Sequence, residues 1–256
     1  MDSRYKQEVQ KYEKKDAIIA ICVFVALVAL SVVDWALAAH IPSFISISRI
    51  IIIGTVFIIV LVKKQGLASI GLHKDKLWPT LRFGILLILI FSAFGVVPGL
   101  IYGWELNSLK AIIPFLFTTL IMAAGEDIFF VGYLQTRLYG LFKKDIPAIF
   151  AGAVLFALAH VPIGLLSPFP SGWITMWIIW IMGHVTMVLI FRRHFSIIPV
   201  IIAHTLANFF TGGGLWDEYN DWAGTAVVLI LVILVVLEIA RCRWAKKVAV
   251  GLSQRT

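Results

Sequence analysis

Apolar residues in this chain come in long unbroken runs, not in the alternation of a half-buried strand. Eight runs stand out: residues 17–39, 45–62, 81–101, 111–137, 147–166, 173–191, 196–211 and 223–240. A helix rising 1.5 Å per residue crosses the ~30 Å hydrocarbon core with about 20 such residues. The runs are therefore read as eight transmembrane helices. The seventh is short and is parted from the sixth only by the sequence RRHF. The fourth is long, so it must tilt or run past the lipid edge. No internal repeat and no low-complexity segment is present, and the longest loop between runs is 63–80. The pattern predicts one all-α membrane domain over residues 1–256. It has a leader at 1–16, a core bearing polar residues at 111–211 and a basic tail at 241–256.

Composition agrees with that pattern. Of the 256 residues, 61% are hydrophobic and only 14% charged, with a mean hydropathy of +0.96. A soluble domain carries about 25% charge. The net charge of +8 would suggest a nucleic-acid partner in a soluble protein. Here topology explains it, and no such partner is expected. With the N-terminus in the cytoplasm, the segments 1–16, 63–80 (with Arg82 just inside the next run), 137–146, 192–195 and 241–256 fall on one side. They hold twenty of the 22 Lys and Arg residues. Only Arg49 and Lys110 fall on the other side. This asymmetry is the positive-inside signature and predicts both termini in the cytoplasm of a multi-pass cell-membrane protein. Trp78, Trp104, Trp173, Trp216, Trp222 and Trp244 lie at or near run ends, as an interfacial aromatic belt requires. Cys22 and Cys242 belong to no metal or redox spacing and are read as apolar residues.

Ionisable groups inside a bilayer are costly and point to function. The short list is Asp34, Glu126, Asp127, His160, His184, His204 and Glu238, with Asn208 as a further strong hydrogen-bonding group. No Lys or Arg falls in mid-run, so the acids are expected to lack a buried cation. Phe156 and His160 are four residues apart, as are His204 and Asn208, so each pair shares a helix face. Glu126, His160 and His204 fall near a common depth on three runs. If those helices are neighbours, they form one constellation of a carboxylate, a second acid, two imidazoles and an amide. A carboxylate in an apolar pocket suits a general base acting on water. One imidazole can hold that water or protonate a leaving amine, and the other with Asn208 can donate to an oxyanion. Two His and one Glu is also a hydrolytic zinc set, so Zn²⁺ held by Glu126, His160 and His204 stays open. The sequence has no H-E-x-x-H helix.

Three motifs, EDIFFVG, FALAH and HTLAN, stand in that order on separate runs. Together they resemble the CPBP family of intramembrane proteases. That group includes the type II CAAX prenyl endopeptidases, bacteriocin-processing and immunity proteins, and abortive-infection proteins. Its pattern is Glu-Glu-x-x-x-Arg, then Phe-x-x-x-His, then His-x-x-x-Asn or His-x-x-x-Asp. The resemblance spans about residues 120–212. It implies a largely helical eight-span fold with a membrane cavity. Glu126 would activate water, His160 would position it, and His204 with Asn208 would form the oxyanion site. It favours a metal-free glutamate mechanism over the zinc alternative. Two positions depart from the pattern: Asp127 replaces the second Glu, and Val131 stands where the pattern has Arg.

The expectation is an intramembrane endopeptidase acting on a membrane-associated protein or peptide, with Glu126, Asp127, His160, His204 and Asn208 as its site and no favoured cofactor. The bland alternatives differ by residue. His184 matches no motif and is expected to be interhelical glue. Phe156 is expected to pack, and Gly125 and Gly132 to permit close helix approach. Two other functions are open. One is a non-catalytic immunity or peptide-binding protein on the same fold, which Val131 favours. The other is a proton-coupled transporter, although paired repeats are absent.

Overall fold

The computed structural model describes residues 2–38, 47–161, 173–211 and 214–216, with single positions 233, 236 and 240 beyond them. Among the described residues the fold is all-helical. The helices are α1 Ser3–Gln10, α2 Lys14–Ala38, α3 Ile47–Val62, α4 Leu77–Tyr102, α5 Leu109–Asp127, α6 Gln135–Phe142, α7 Asp145–Ala159, α8 Trp173–His194 and α9 Ile198–Thr211. A wider π-helical stretch, Ile128–Leu134, joins α5 to α6. The eighth run, 223–240, lies almost wholly outside the described residues, as do the tail 241–256 and the side chains of Asp34 and Glu238.

Four stretches are long and apolar enough to cross a membrane: Lys14–Val33, Lys74–Tyr102, Leu109–Phe142 and Met176–His194. Three more apolar helices are shorter: Arg49–Val62, Asp145–Ala159 and Ile198–Thr211. Seven of the eight runs thus appear as helices, but not all as full crossings. In the fifth run α7 ends at Ala159, where the His160 N–H bonds back to the Ala157 carbonyl in a tighter turn. The outer surface of the bundle is apolar. Val62, Leu89, Leu100, Ile113, Phe150 and Ile146 are all exposed. Such a surface has no stable place in water and suits hydrocarbon.

The loops gather at two ends. At one end Lys76 pairs with Asp2, Arg4 with Asp75 at 2.6 Å, Arg192 with Asp145, and the Lys143 ammonium donates to the Tyr12 carbonyl at 2.7 Å. These contacts join four of the segments that the charge pattern placed on one side. At the other end the loop after α4 meets the loop after α9. Asn107 N–H donates to the Leu215 carbonyl at 3.0 Å, and Leu106 and Trp216 form an antiparallel bridge.

One face of α4 carries Gly84, Leu87, Phe91, Gly95 and Gly99, spaced three or four apart and buried. A methyl group on Gly84, Gly95 or Gly99 would strike Ile202, Phe210 or Trp216 respectively. The small residues let α9 and the loop after it lie close against α4, where dispersion contacts hold membrane helices together.

One sequence expectation changes here. Trp216 is not an interfacial anchor: it is buried, and its indole N–H donates to the Gly95 carbonyl at 2.8 Å. The leader is folded onto the bundle. Asp2 caps α1 by accepting from the Arg4 N–H, and Tyr5 is wholly buried among Tyr139, Phe191 and Phe195 in edge-to-face packing.

Candidate active site

Glu126 and Asp127 close α5, at the point where its winding widens. Every residue from Gly125 to Gly140 is buried, so the acids sit in the interior of the bundle. A π-helical turn leaves carbonyls poorly paired, and the membrane interior offers no water to satisfy them. Thr136 answers this locally: its hydroxyl donates to the carbonyls of Gly132 and Tyr133 at 2.8 and 2.9 Å. Gly132 also lets the stretch pass the Ile70 carbonyl, which a Cβ would meet at 2.9 Å.

Four of the five sequence-chosen residues come together. Glu126 Oε2 lies 3.9 Å from His160 Nε2 and 3.9 Å from His204 Nε2. His204 donates from Nδ1 to Asp127 Oδ1 at 3.1 Å. His160 donates from Nδ1 to the Phe156 carbonyl at 2.8 Å, which leaves its Nε2 as the acceptor facing Glu126. The rings are fixed by packing. Trp180 stacks on His160 with centroids 4.9 Å apart, and Phe156 touches the rings of His160 and His204. Asn208 lies one turn beyond His204 on α9 and is half-buried.

The two carboxylates have different partners. Asp127 is completely buried, accepts from His204, and leaves Oδ2 without a hydrogen bond. Glu126 gives Oε1 to Arg49, whose Nη2 donates at 2.9 Å. This corrects the expectation that the acids lack a cation. Arg49 was assigned to the outer face because it lies near the start of a run. In the structure it is buried in the first turn of α3, beside Glu126, which stands seventeen residues, or about 25 Å, along α5 from Leu109. The site therefore lies where α3 begins and α7 stops.

Arg137 is a second correction. The charge pattern placed it in a loop, but it is fully buried. Its guanidinium donates to Gln65 Oε1 at 2.6 Å, Ser69 Oγ at 3.0 Å and Thr136 Oγ1 at 2.7 Å. It also lies 4.4 Å from the ring centroids of both Tyr12 and Tyr133. It clamps the end of the π-helical stretch to the turn after α3.

His184 behaves as helix glue. Its Nε2 donates to Gln135 Oε1 at 3.3 Å, joining α8 to α6, and its ring stacks on Phe156. Gly152 makes the room, since a Cβ there would stand 3.0 Å from His184 Nε2. Val131, in the pattern's Arg position, is buried in the apolar core.

A cavity opens beside the cluster, walled by Leu27, Val28, Ile52 and Phe130, with Arg49, Glu126 and His160 at its polar end. The zinc alternative does not fit these residues well. No three His, Cys, Asp or Glu among the described residues are arranged to hold a metal ion. Glu126 also already contacts a guanidinium, whose charge opposes a divalent cation there.

A bundle of apolar helices enclosing adjacent acids and two imidazoles defines a membrane protein with a polar centre built among its helices. Residues 108–210 match the family described as Rce1-like, "Type II CAAX prenyl endopeptidase Rce1-like". Through that segment the chain is similar to the type II CAAX prenyl endopeptidases. Comparison with curated proteins and with solved structures gives no match.

The matched segment runs from α5 to α9 and leaves Arg49 outside it. Sequence reasoning missed this residue because it scored position within a run and not reach. An Arg one turn inside an apolar run was the available signal.

Proposed function

We propose that this protein is an intramembrane endopeptidase that hydrolyses a peptide bond of a membrane-associated protein or peptide. The observation that carries the reading is the facing of Glu126 Oε2 toward two imidazole nitrogens, each at 3.9 Å. That spacing is too long for a direct hydrogen bond and suits one water bonded to all three. In the reaction, Glu126 Oε2 takes a proton from the attacking water. His160 Nε2, whose tautomer is set by the Phe156 carbonyl, accepts the water's second hydrogen and so aims its lone pair. The new C–O bond forms as the carbonyl π pair moves to oxygen. In this step His204 is the imidazolium, paired through Nδ1–H with the Asp127 carboxylate, and it donates from Nε2–H to that oxyanion, with Asn208 as the second donor. Glu126 then returns its proton to the leaving amine as the C–N bond breaks.

The mechanism needs no metal: the Arg49 guanidinium occupies one face of the base, and the imidazoles supply the hydrogen bonds. The apolar walls of the cavity suit a substrate delivered from the lipid. The cell membrane is its place of action, with both termini on the cytoplasmic side, where the paired basic segments would lie.

A second reading is a peptide-binding immunity protein on the same fold. Val131 in the pattern's Arg position favours it. Mapping of peptide termini in whole cells decides between them, comparing wild type with Glu126→Gln at matched expression. New termini seen only with the wild type support the endopeptidase. Identical termini, with the cellular phenotype intact in the variant, support the binder.

A further inference from the structure

The two buried acids of the site are held in different ways, and Arg49 holds the one that reacts. The Arg49 guanidinium is the permanent positive charge beside Glu126, whose Oε2 faces the imidazoles of His160 and His204. Its contact is directional, from Nη2 to Oε1 at 2.9 Å, with both side chains nearly excluded from solvent. The approach is built in. Gly125, next to Glu126, would place a Cβ 3.0 Å from both Cβ and Cγ of Arg49 and 3.3 Å from its carbonyl oxygen. Arg49 also lines the cavity beside Glu126 and His160. α3 begins at the depth of the site, so the residue needs no long reach.

We propose that Arg49 is a positioning residue for the hydrolysis, holding Glu126 by Oε1 so that Oε2 faces both imidazoles. The inference rests on Glu126 being the base, as read above. A carboxylate bound by one oxygen has its free oxygen fixed in direction. Without that hold the side chain rotates, and the base loses the geometry that aligns water with both rings. The charge matters as well as the shape, because a carboxylate this deep needs a partner to stay ionised. Lysine would supply the charge from a single point and not the planar fork.

The test uses the full chain in proteoliposomes, with the substrate identified by terminus mapping as the probe. Arg49→Gln, Arg49→Lys, Gly125→Ala and Glu126→Gln are compared for kcat, KM and thermal melting. Arg49→Gln should lower kcat about a hundredfold with KM within about threefold, the size of a misplaced catalytic group. Arg49→Lys should recover about tenfold of that loss. Gly125→Ala keeps the charge but pushes Arg49 aside, and should lower kcat several-fold while melting near the wild type. It keeps the question open to refutation if Arg49→Gln fails to fold. Wild-type kcat in Arg49→Gln or in Gly125→Ala overturns the proposal. So does a loss that appears as raised KM, which would make Arg49 a substrate-binding residue. Cleavage surviving in Glu126→Gln defeats the reading of the base itself. Loss in Glu126→Gln with full turnover in Arg49→Gln defeats only the role of Arg49.

Discussion

Gly140→Ala should loosen the end of the bundle that carries the leader. Gly140 lies in α6 against the segment between α1 and α2. A methyl group there would stand 2.6 Å from the Glu13 carbonyl carbon and 3.2 Å from its nitrogen. Ordinary carbon contacts begin near 3.5 Å, so main chain has to move by about 1 Å. The Glu13 carbonyl accepts from the N–H groups of Asp16 and Ala17, and the Asp16 carboxylate caps Glu13 in return at 3.0 Å. Its neighbour Tyr12 covers the Arg137 guanidinium. Overpacking costs about 1–3 kcal/mol. A weakened cation–π contact adds about 0.5–2 kcal/mol. The total, about 1.5–5 kcal/mol, corresponds to a melting point lower by roughly 3–20 °C at 2–4 °C per kcal/mol. Gly54→Ala is the control, because nothing lies within 4 Å of its added methyl and α3 gains a better helix former. Both variants would be melted in mild detergent by tryptophan fluorescence. A Gly140→Ala protein that melts with the wild type would refute the packing argument. So would a Gly54→Ala protein that drops as far.

Three further outcomes are expected. Gly152→Ala, whose methyl would meet the Gln135 amide, should break the His184–Gln135 bond and lower the melting point by an amount matching about 1–3 kcal/mol; hydrogen exchange of α6 and α8 would show the loosening. Arg137→Gln should cost about 2–4 kcal/mol by removing the clamp on Ser69, Gln65 and Thr136, read as increased proteolysis between α3 and α4; wild-type resistance would count against the clamp. Cleavage by the purified protein should be unchanged by 1,10-phenanthroline, since Glu126 is paired with a guanidinium; loss restored by added zinc would reverse the assignment of a metal-free site.

How much of the site was legible depended on what each residue needed in order to be found. Glu126 and Asp127 were visible because charge in an apolar run is costly wherever the helix packs. His160 and His204 were visible through i, i+4 partners and matching depth. Arg49 was not, because a residue near a run's edge can face water or the interior, and only the neighbours decide. Arg137 was hidden in the same way, since a Lys/Arg count treats a buried guanidinium and a loop one alike. The role of Asn208 stays with the motif, as its side chain is half-buried one turn from His204.

Taken by itself, the sequence determined a helical membrane protein, the two groups of loops and the depth of the acids and imidazoles along their own helices. These are properties of single helices, set by the 1.5 Å rise, the 3.6-residue turn and the cost of charge in lipid. Tertiary structure alone decided that α3 starts and α7 stops beside Glu126. It also decided that His204 takes Asp127 while Arg49 takes Glu126, and that the chain widens into a π-helix directly after them. Those facts belong to pairs of helices. Spacing along one chain segment says which face a residue shares, but only packing says which other helix stands across from it.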